Sequence, residues 1–137
     1  MTIALHPYLN FPGNTREAME FYQSIFGGEL VVSTFGEIGM GDMMPADGTM
    51  HAHLETPAFS IMAADAMPGA EATWGGTRNY LSLVGDDAET MTGWFEKLAE
   101  SGSVGMPLEK QVWGDTFGIC MDKYGLEWMV NISEPPQ

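Results

Sequence analysis

The sequence predicts an α+β protein built from two βαβββ modules that form a curved mixed β-sheet cup. The first observation is a repeat, because residues 7–28 return in altered form at 79–102, where Tyr8 reappears as Tyr80. The second is that apolar and polar residues alternate along the strand that opens each copy. The third is that both copies continue into an amphipathic helix. An internal repeat of this kind predicts two similar modules.

The repeat also sets the predicted domain organisation. A chain of 137 residues suits one domain, so we expect both modules to share it. The predicted boundaries are module one at about 1–65, a connection rich in glycine and proline at 66–78, module two at about 79–132 and a tail at 133–137.

Module one opens with a predicted strand at residues 3–11. The apolar residues of this strand that we expect against the helix are Ile3, Leu5, Leu9 and Phe11. The helix is predicted to begin after Asn14, an N-cap residue followed three positions later by Glu17, and to end at Gly27 and Gly28. Its apolar face comprises Ala18, Phe21, Tyr22 and Ile25. Three further strands are predicted at 29–35, 49–56 and 59–64.

Module two repeats this order. Its predicted helix covers residues 87–100, with Asp86 and Glu89 as the capping pair and Gly102 as a left-handed exit. The apolar face of that helix comprises Met91, Trp94, Phe95 and Leu98. The predicted strands are 79–84, 104–111, 116–122 and 126–132.

Composition limits the classes of function. Five basic and 19 acidic residues give a net charge of −14, which repels phosphate backbones and argues against a nucleic-acid partner. The charge serves either solubility or the attraction of cationic ligands. No apolar run approaches the ~20 residues of a membrane span, so we expect no membrane partner. The lone Cys120 excludes an intrachain disulfide, fits a cytoplasmic protein and is interpreted as a small buried strand residue rather than a nucleophile.

Polar and aromatic side chains alternate with the core residues of the predicted strands, so they lie on the sheet faces opposite the helices. These residues are His6, Tyr8, Asn10, His51, His53, Glu55, Ser60, Met62, Tyr80, Ser82, Glu127, Met129 and Asn131. This mixture is typical of a ligand pocket, although one face of an antiparallel sheet can also contact solvent. The methionine-rich stretch 38–45 is either a flap over that pocket or a surface loop.

Several segments in the same order and spacing resemble the vicinal oxygen chelate superfamily, which includes glyoxalase I, ring-cleaving dioxygenases and bleomycin-resistance proteins. The segments are PYLNF and EAMEFYQSIFGGEL near the start, AADAMPG at 63–69 and WGDTFGICMDKYGLEWMVNI at 113–132. More narrowly, the chain is similar to the PhnB-like branch. The resemblance implies a cup formed by two curved four-stranded sheets and a homodimer that brings four modules together. The apolar residues expected at the dimer interface include Trp74, Phe35 and Trp113.

Enzymes of this superfamily bind a divalent metal through one residue from the first and last strand of each module. The resemblance assigns these positions to His6, Met62, Tyr80 and Met129. Thioether sulfur suits Cu(I) rather than the divalent metals of this chemistry, and a phenol must lose a proton to bind well. We therefore expect no metal cofactor at these positions. An alternative divalent site would combine His51, His53 and Glu55 with His6.

Two classes of function follow. One is a protein that binds a small organic molecule without catalysis, and the other is a lyase, an isomerase or an atypical metalloenzyme. The candidate acid–base residues are Glu127, Glu55, His6 and His53. The predicted ligand-binding residues are His6, Tyr8, Asn10, His53, Ser60, Met62, Tyr80, Ser82, Trp113 and Met129. Methyl transfer is not supported, because the sequence lacks a glycine-rich strand-to-helix loop followed by an acidic residue.

Overall fold

A computed structural model of the protein describes residues 5–37, 48–65 and 80–133. The chain divides into two compact units, Met1–Ala72 and Thr73–Gln137. In the described residues each unit contains one helix and four strands in the order βαβββ, which confirms the predicted fold class. Neither of the two helices in these ranges is long and apolar enough to cross a membrane.

The N-terminal unit is a four-stranded mixed sheet with a helix on one face. Its elements are β1 (Tyr8–Phe11), α1 (Thr15–Phe26), β2 (Glu29–Thr34), β3 (Thr49–Glu55) and β4 (Ser60–Asp65). The strand order is β1-β4-β3-β2, with β1 parallel to β4 and the other pairs antiparallel. Helix α1 packs on β2, β3 and β4 and buries Met19 and Tyr22 completely. Each such side chain contributes about 1.5–3 kcal/mol by leaving water.

The C-terminal unit repeats this architecture. Its elements are β5 (Leu81–Gly85), α2 (Ala88–Glu100), β6 (Ser103–Lys110), β7 (Thr116–Met121) and β8 (Glu127–Ile132). The order β5-β8-β7-β6 again has one parallel pair, β5 with β8. Trp128 and Val130 of β8 are buried on the side of α2, whereas Met129 between them is half-buried on the opposite face. The predicted alternation along this strand is confirmed.

The first strand is shorter than predicted. It begins at Tyr8, and Leu5 is 97% exposed instead of packing against α1. Pro7 has no N–H to donate, so only its carbonyl extends the pairing, accepting a hydrogen bond of 3.0 Å from the Met62 amide. Leu9 and Phe11 are buried as expected. Phe35, predicted at a dimer interface, is also buried within the unit.

The helix termini differ from the predicted capping pattern. The Asn14 side chain makes no capping hydrogen bond. Instead, the amide of Thr15 donates to Oδ1 of Asp65 at 3.2 Å. In α2 the N-cap is Asp87 rather than Asp86, and its carboxylate accepts from the Thr90 amide at 3.2 Å. The buried faces are also shifted slightly, because Phe21 and Trp94 are only half-buried.

The glycines predicted to end the two helices are required there for different physical reasons. Gly27 and Gly28 have φ values of +76° and +92°, a region that L side chains rarely adopt. Gly102 does not have a positive φ, so its predicted left-handed conformation is wrong. A Cβ on Gly102 would instead collide with the backbone oxygen of Met121, so the glycine permits close approach of two chain segments.

Candidate functional site

The helix-distal face of the N-terminal sheet carries two pairs of aromatic and imidazole rings. Strand pairing places Tyr8, Met62 and His53 in one row, because Met62 is the partner of Tyr8 on one side and of His53 on the other. Directly paired residues project to the same face of a sheet. This face is set by the burial of Leu9 and Leu54 on the other side, against α1.

The first pair joins Tyr8 to His51. Their ring centroids are 5.9 Å apart, and the Tyr8 hydroxyl shares a hydrogen bond of 3.3 Å with Nδ1 of His51. The donor of this bond depends on the imidazole tautomer. Tyr8 remains 49% exposed, so the pair presents both an apolar ring surface and polar atoms to a ligand.

The second pair joins His6 to His53. Their ring centroids are 6.3 Å apart and the ring planes are inclined by 48°. Nε2 of His53 is buried and has no hydrogen-bond partner among the described residues. A buried polar atom without a partner costs about 1–3 kcal/mol. A bound group that reached this ring nitrogen would remove that cost.

Other predicted residues of this face lie around the two pairs. Asn10 is exposed and Ser60 is half-buried. Glu55 is exposed at the end of β3, where its sheet partners are Ser60 and Glu29. Its carboxylate is therefore a candidate base on an open strand end rather than in an enclosed site. The predicted methionine-rich flap at 38–45 lies outside the described residues.

The C-terminal unit places its predicted residues on the corresponding face. Ser82 pairs directly with Met129, and Glu127 pairs with Met121. Tyr80 is half-buried immediately before β5. The predicted ligand residues of this unit therefore include a direct cross-strand pair, Ser82 with Met129.

Sequence reasoning missed Phe117 and Asp115, which both interact with the predicted residue Asn131. Phe117 pairs with Asn131 in the sheet, and Trp113 packs edge-on against Phe117 with centroids 6.0 Å apart. Asp115 accepts a hydrogen bond of 3.0 Å from the side-chain amide of Asn131. The alternation of Phe117, Ile119 and Met121 with the buried Gly118 and Cys120 could have assigned the faces of β7.

The donors at the predicted metal positions are chemically ill-suited to a hard divalent metal. The family positions offer one imidazole, one phenol and two thioethers, which is a poor set for Zn, Ni or Mn. In the alternative site, His51 contacts Tyr8 whereas His53 contacts His6, so the donors divide into two pairs. Across residues 5–37, 48–65 and 80–133, no three His, Cys, Asp or Glu side chains are close enough to share an ion.

Two open depressions lie elsewhere on the units. One of about 570 Å³ is lined by residues of α2 together with Val104, and one of about 510 Å³ lies beside the start of α1 and Asp65. Neither contains a predicted ligand-binding residue.

Cys120 is buried, and burial together with the nearby Asp122 carboxylate raises the pKa of its thiol to about 12. It is therefore protonated at neutral pH and a poor nucleophile.

A family model and a sequence relative both match most of this chain. The family model described as Glyoxalase/Bleomycin resistance protein/Dioxygenase superfamily matches residues 4–130. Protein YjdN of Escherichia coli is 33% identical, over 93% of this chain and 94% of the relative.

Two solved structures have the same fold. Protein PA1353 from Pseudomonas aeruginosa is 34% identical with a TM-score of 0.82, covering 98% of this chain and 100% of its own. A Bacillus cereus protein described as a putative 3-demethylubiquinone-9 3-methyltransferase, PhnB protein, is 28% identical with a TM-score of 0.77. That match covers 96% of this chain and 100% of the Bacillus cereus chain.

Proposed function

Because this chain belongs to the glyoxalase/bleomycin resistance/dioxygenase superfamily, we propose that it binds a small organic molecule without the divalent metal of the family's enzymes. The ligand would lie in the cup formed by the helix-distal faces of the two modules. We further propose that the protein is cytoplasmic and acts as a homodimer.

The observation that carries the proposal is the set of unsatisfied or exposed groups on one sheet face. Tyr8 is half-exposed, and Nε2 of His53 is buried without a partner in the described part of the chain. Binding sites combine apolar ring surface with a few polar atoms that fix orientation. A ligand with a flat apolar portion and a hydrogen-bonding group beside it would meet both requirements.

A second candidate is a lyase or isomerase, which the hydrogen-bonded Tyr8 and His51 pair favours. Such a pair can hold a proton close to a bound substrate, and the carboxylate base would be Glu127 or Glu55. Methyl transfer, the activity in the description of the Bacillus cereus protein, gains no support from the sequence, which lacks a glycine-rich loop for a methyl donor.

Mass spectrometry of small molecules extracted from the purified, denatured protein tests the proposal. We expect an organic compound near one equivalent per chain in the wild type. Tyr8→Ala and Tyr80→Ala should each reduce affinity for it by about 1–3 kcal/mol while the protein stays folded. Thr90→Ala, on the exposed first turn of α2, is the matched control. Unchanged retention in both tyrosine variants would contradict the proposal, and conversion of the compound by fresh protein would favour the enzyme.

A further inference from the structure

Three soft or borderline donors lie together on the helix-distal face of the N-terminal sheet. Met62 on β4 is the direct sheet partner of His53 on β3. His6 lies just before β1, and its ring centroid is 6.3 Å from that of His53 on this face. Two imidazoles and one thioether are thus within one small area of a single unit.

We propose that His6, His53 and Met62 form a binding site for Cu(I). This inference does not depend on the proposed organic ligand, because the metal alone is the probe. It also differs from the family's divalent site, since it lies within one unit and uses His53, which is not one of the family positions.

The ring geometry fits a shared ion. With a metal at about 2 Å from one nitrogen of each imidazole, two ring centroids are about 5 Å apart at a tetrahedral angle and about 6 Å or slightly more apart in a linear arrangement. The observed 6.3 Å is close to the wide-angle end of this range, and low coordination numbers with wide angles are usual for Cu(I). A thioether with three rotatable bonds can then reach the ion from the adjacent strand.

The unpartnered nitrogen of His53 is an independent indication of a ligand. Its Nε2 is buried without a hydrogen-bond partner in the described ranges, although a neutral imidazole always has one nitrogen able to bind a metal. The thioether determines the class of ion, because methionine sulfur binds Cu(I) well and Zn(II) poorly. The net charge of −14 also favours a cation.

Anaerobic titration with Cu(I) against a chromophoric Cu(I) chelator tests the site. We expect one tight equivalent per chain, bound more tightly than Zn(II). Met62→Leu and His53→Gln should each weaken Cu(I) binding by at least about tenfold, since even groups that only orient a metal ligand are worth that much. Met62→Leu preserves the size and apolar character of the side chain, so it should not disturb the fold.

The controls separate this site from other sulfur and histidine donors. His51→Gln and Met106→Leu should leave the affinity unchanged, as should the triple change of Met40, Met43 and Met44 to Leu. Because Cu(I) is diamagnetic, nitrogen NMR of the imidazoles should show a shift at His53 and none at His51. Loss of binding in the triple variant, a shift at His51 alone, or equal affinity for Zn(II) would overturn the proposal. The organic-ligand proposal would be unaffected by any of these results.

Discussion

The indole Nε1 of Trp128 donates a hydrogen bond of 2.9 Å to Oδ2 of Asp122 inside the C-terminal unit. Oδ1 of the same carboxylate accepts from the amides of Tyr124 and Leu126 at 2.8 and 3.2 Å. Asp122 is 2% exposed and Trp128 is 1% exposed. A single buried carboxylate therefore fixes the turn between β7 and β8 and orients the largest side chain of this core.

We expect Asp122→Ala to lower the free energy of unfolding by about 3 kcal/mol or more, because it removes the carboxylate acceptor of three N–H groups, of which those of Leu126 and Trp128 are buried. Asp122→Asn should cost less, since its oxygen can still accept while its NH₂ group faces the indole donor. Urea denaturation gives these values, with the exposed Asp86→Ala as control. Equal stability of the two alanine variants would contradict this role.

The buried thiol of Cys120 gives a prediction of pH dependence. Burial, with a further contribution from Asp122, raises its pKa from 9.0 to about 12. The folded protein therefore keeps the Cys120 proton above pH 9, where the unfolded chain loses it. The stability that this proton contributes is complete below pH 9 and falls as the pH rises toward 12. Between about pH 8 and 10.5 the wild type should lose on the order of 1–2 kcal/mol more than Cys120→Ser. Parallel pH profiles of urea unfolding in the two proteins would be inconsistent with this shift.

The start of α1 provides a third prediction. Asp65 accepts from the amides of Thr15 at 3.2 Å and Thr49 at 2.9 Å, whereas the Asn14 side chain makes no capping bond. Asp65→Ala should therefore destabilise the protein by about 1–3 kcal/mol, and Asn14→Ala by about 0.5 kcal/mol or less. Urea midpoints compare the two directly, and the reverse order would mean that the capping box predicted from the sequence operates in solution.

Some of these structural features could be predicted from the sequence and others could not. The faces of β3 and β8 follow from alternation with a period of two, because burial of one face dictates which residues are apolar. The capping role of Asp65 was missed because its partner Thr15 is 50 residues away. His6 was placed near His53 only as part of an alternative metal site, and the pairing of Tyr8 with His51 was not predicted, since both depend on β4 lying between β1 and β3. Local patterns contain no information about that order.

Alanine substitutions at Gly27 and Gly28 separate the cost of backbone strain from the cost of a steric clash. Both have positive φ, but a Cβ on Gly27 has nothing within 4 Å, whereas one on Gly28 would collide with the backbone oxygen of Glu55. We expect Gly27→Ala to cost about 1–3 kcal/mol from backbone strain. Gly28→Ala should cost at least about 2 kcal/mol more, because the chain at the end of β3 must move. Calorimetric melting temperatures measure both, and similar losses would argue against close contact at Gly28.

The last prediction is a homodimer with a largely apolar interface. Strand β6 lies at the edge of its sheet and exposes Val104, and Trp113, in the connection from β6 to β7, is 59% exposed. Unpaired edges and apolar groups of this kind are commonly covered by a second chain. Trp74, also expected at the interface, lies outside the described residues, and Phe35 is buried within its own unit, so we expect residues of β6 rather than Phe35 to contribute.

Charge determines how this dimer should respond to salt. Each subunit has a net charge of −14, so the two repel, and salt should strengthen their association by screening that repulsion. Sedimentation equilibrium at low salt and at about 0.5 M salt measures this effect. Val104→Lys should weaken the dimer although it reduces the net negative charge, whereas Thr90→Lys makes the same change in charge on α2 and should not. A 14.9 kDa monomer at micromolar concentration in both salt conditions would contradict the dimer, because repulsion could then not explain its absence.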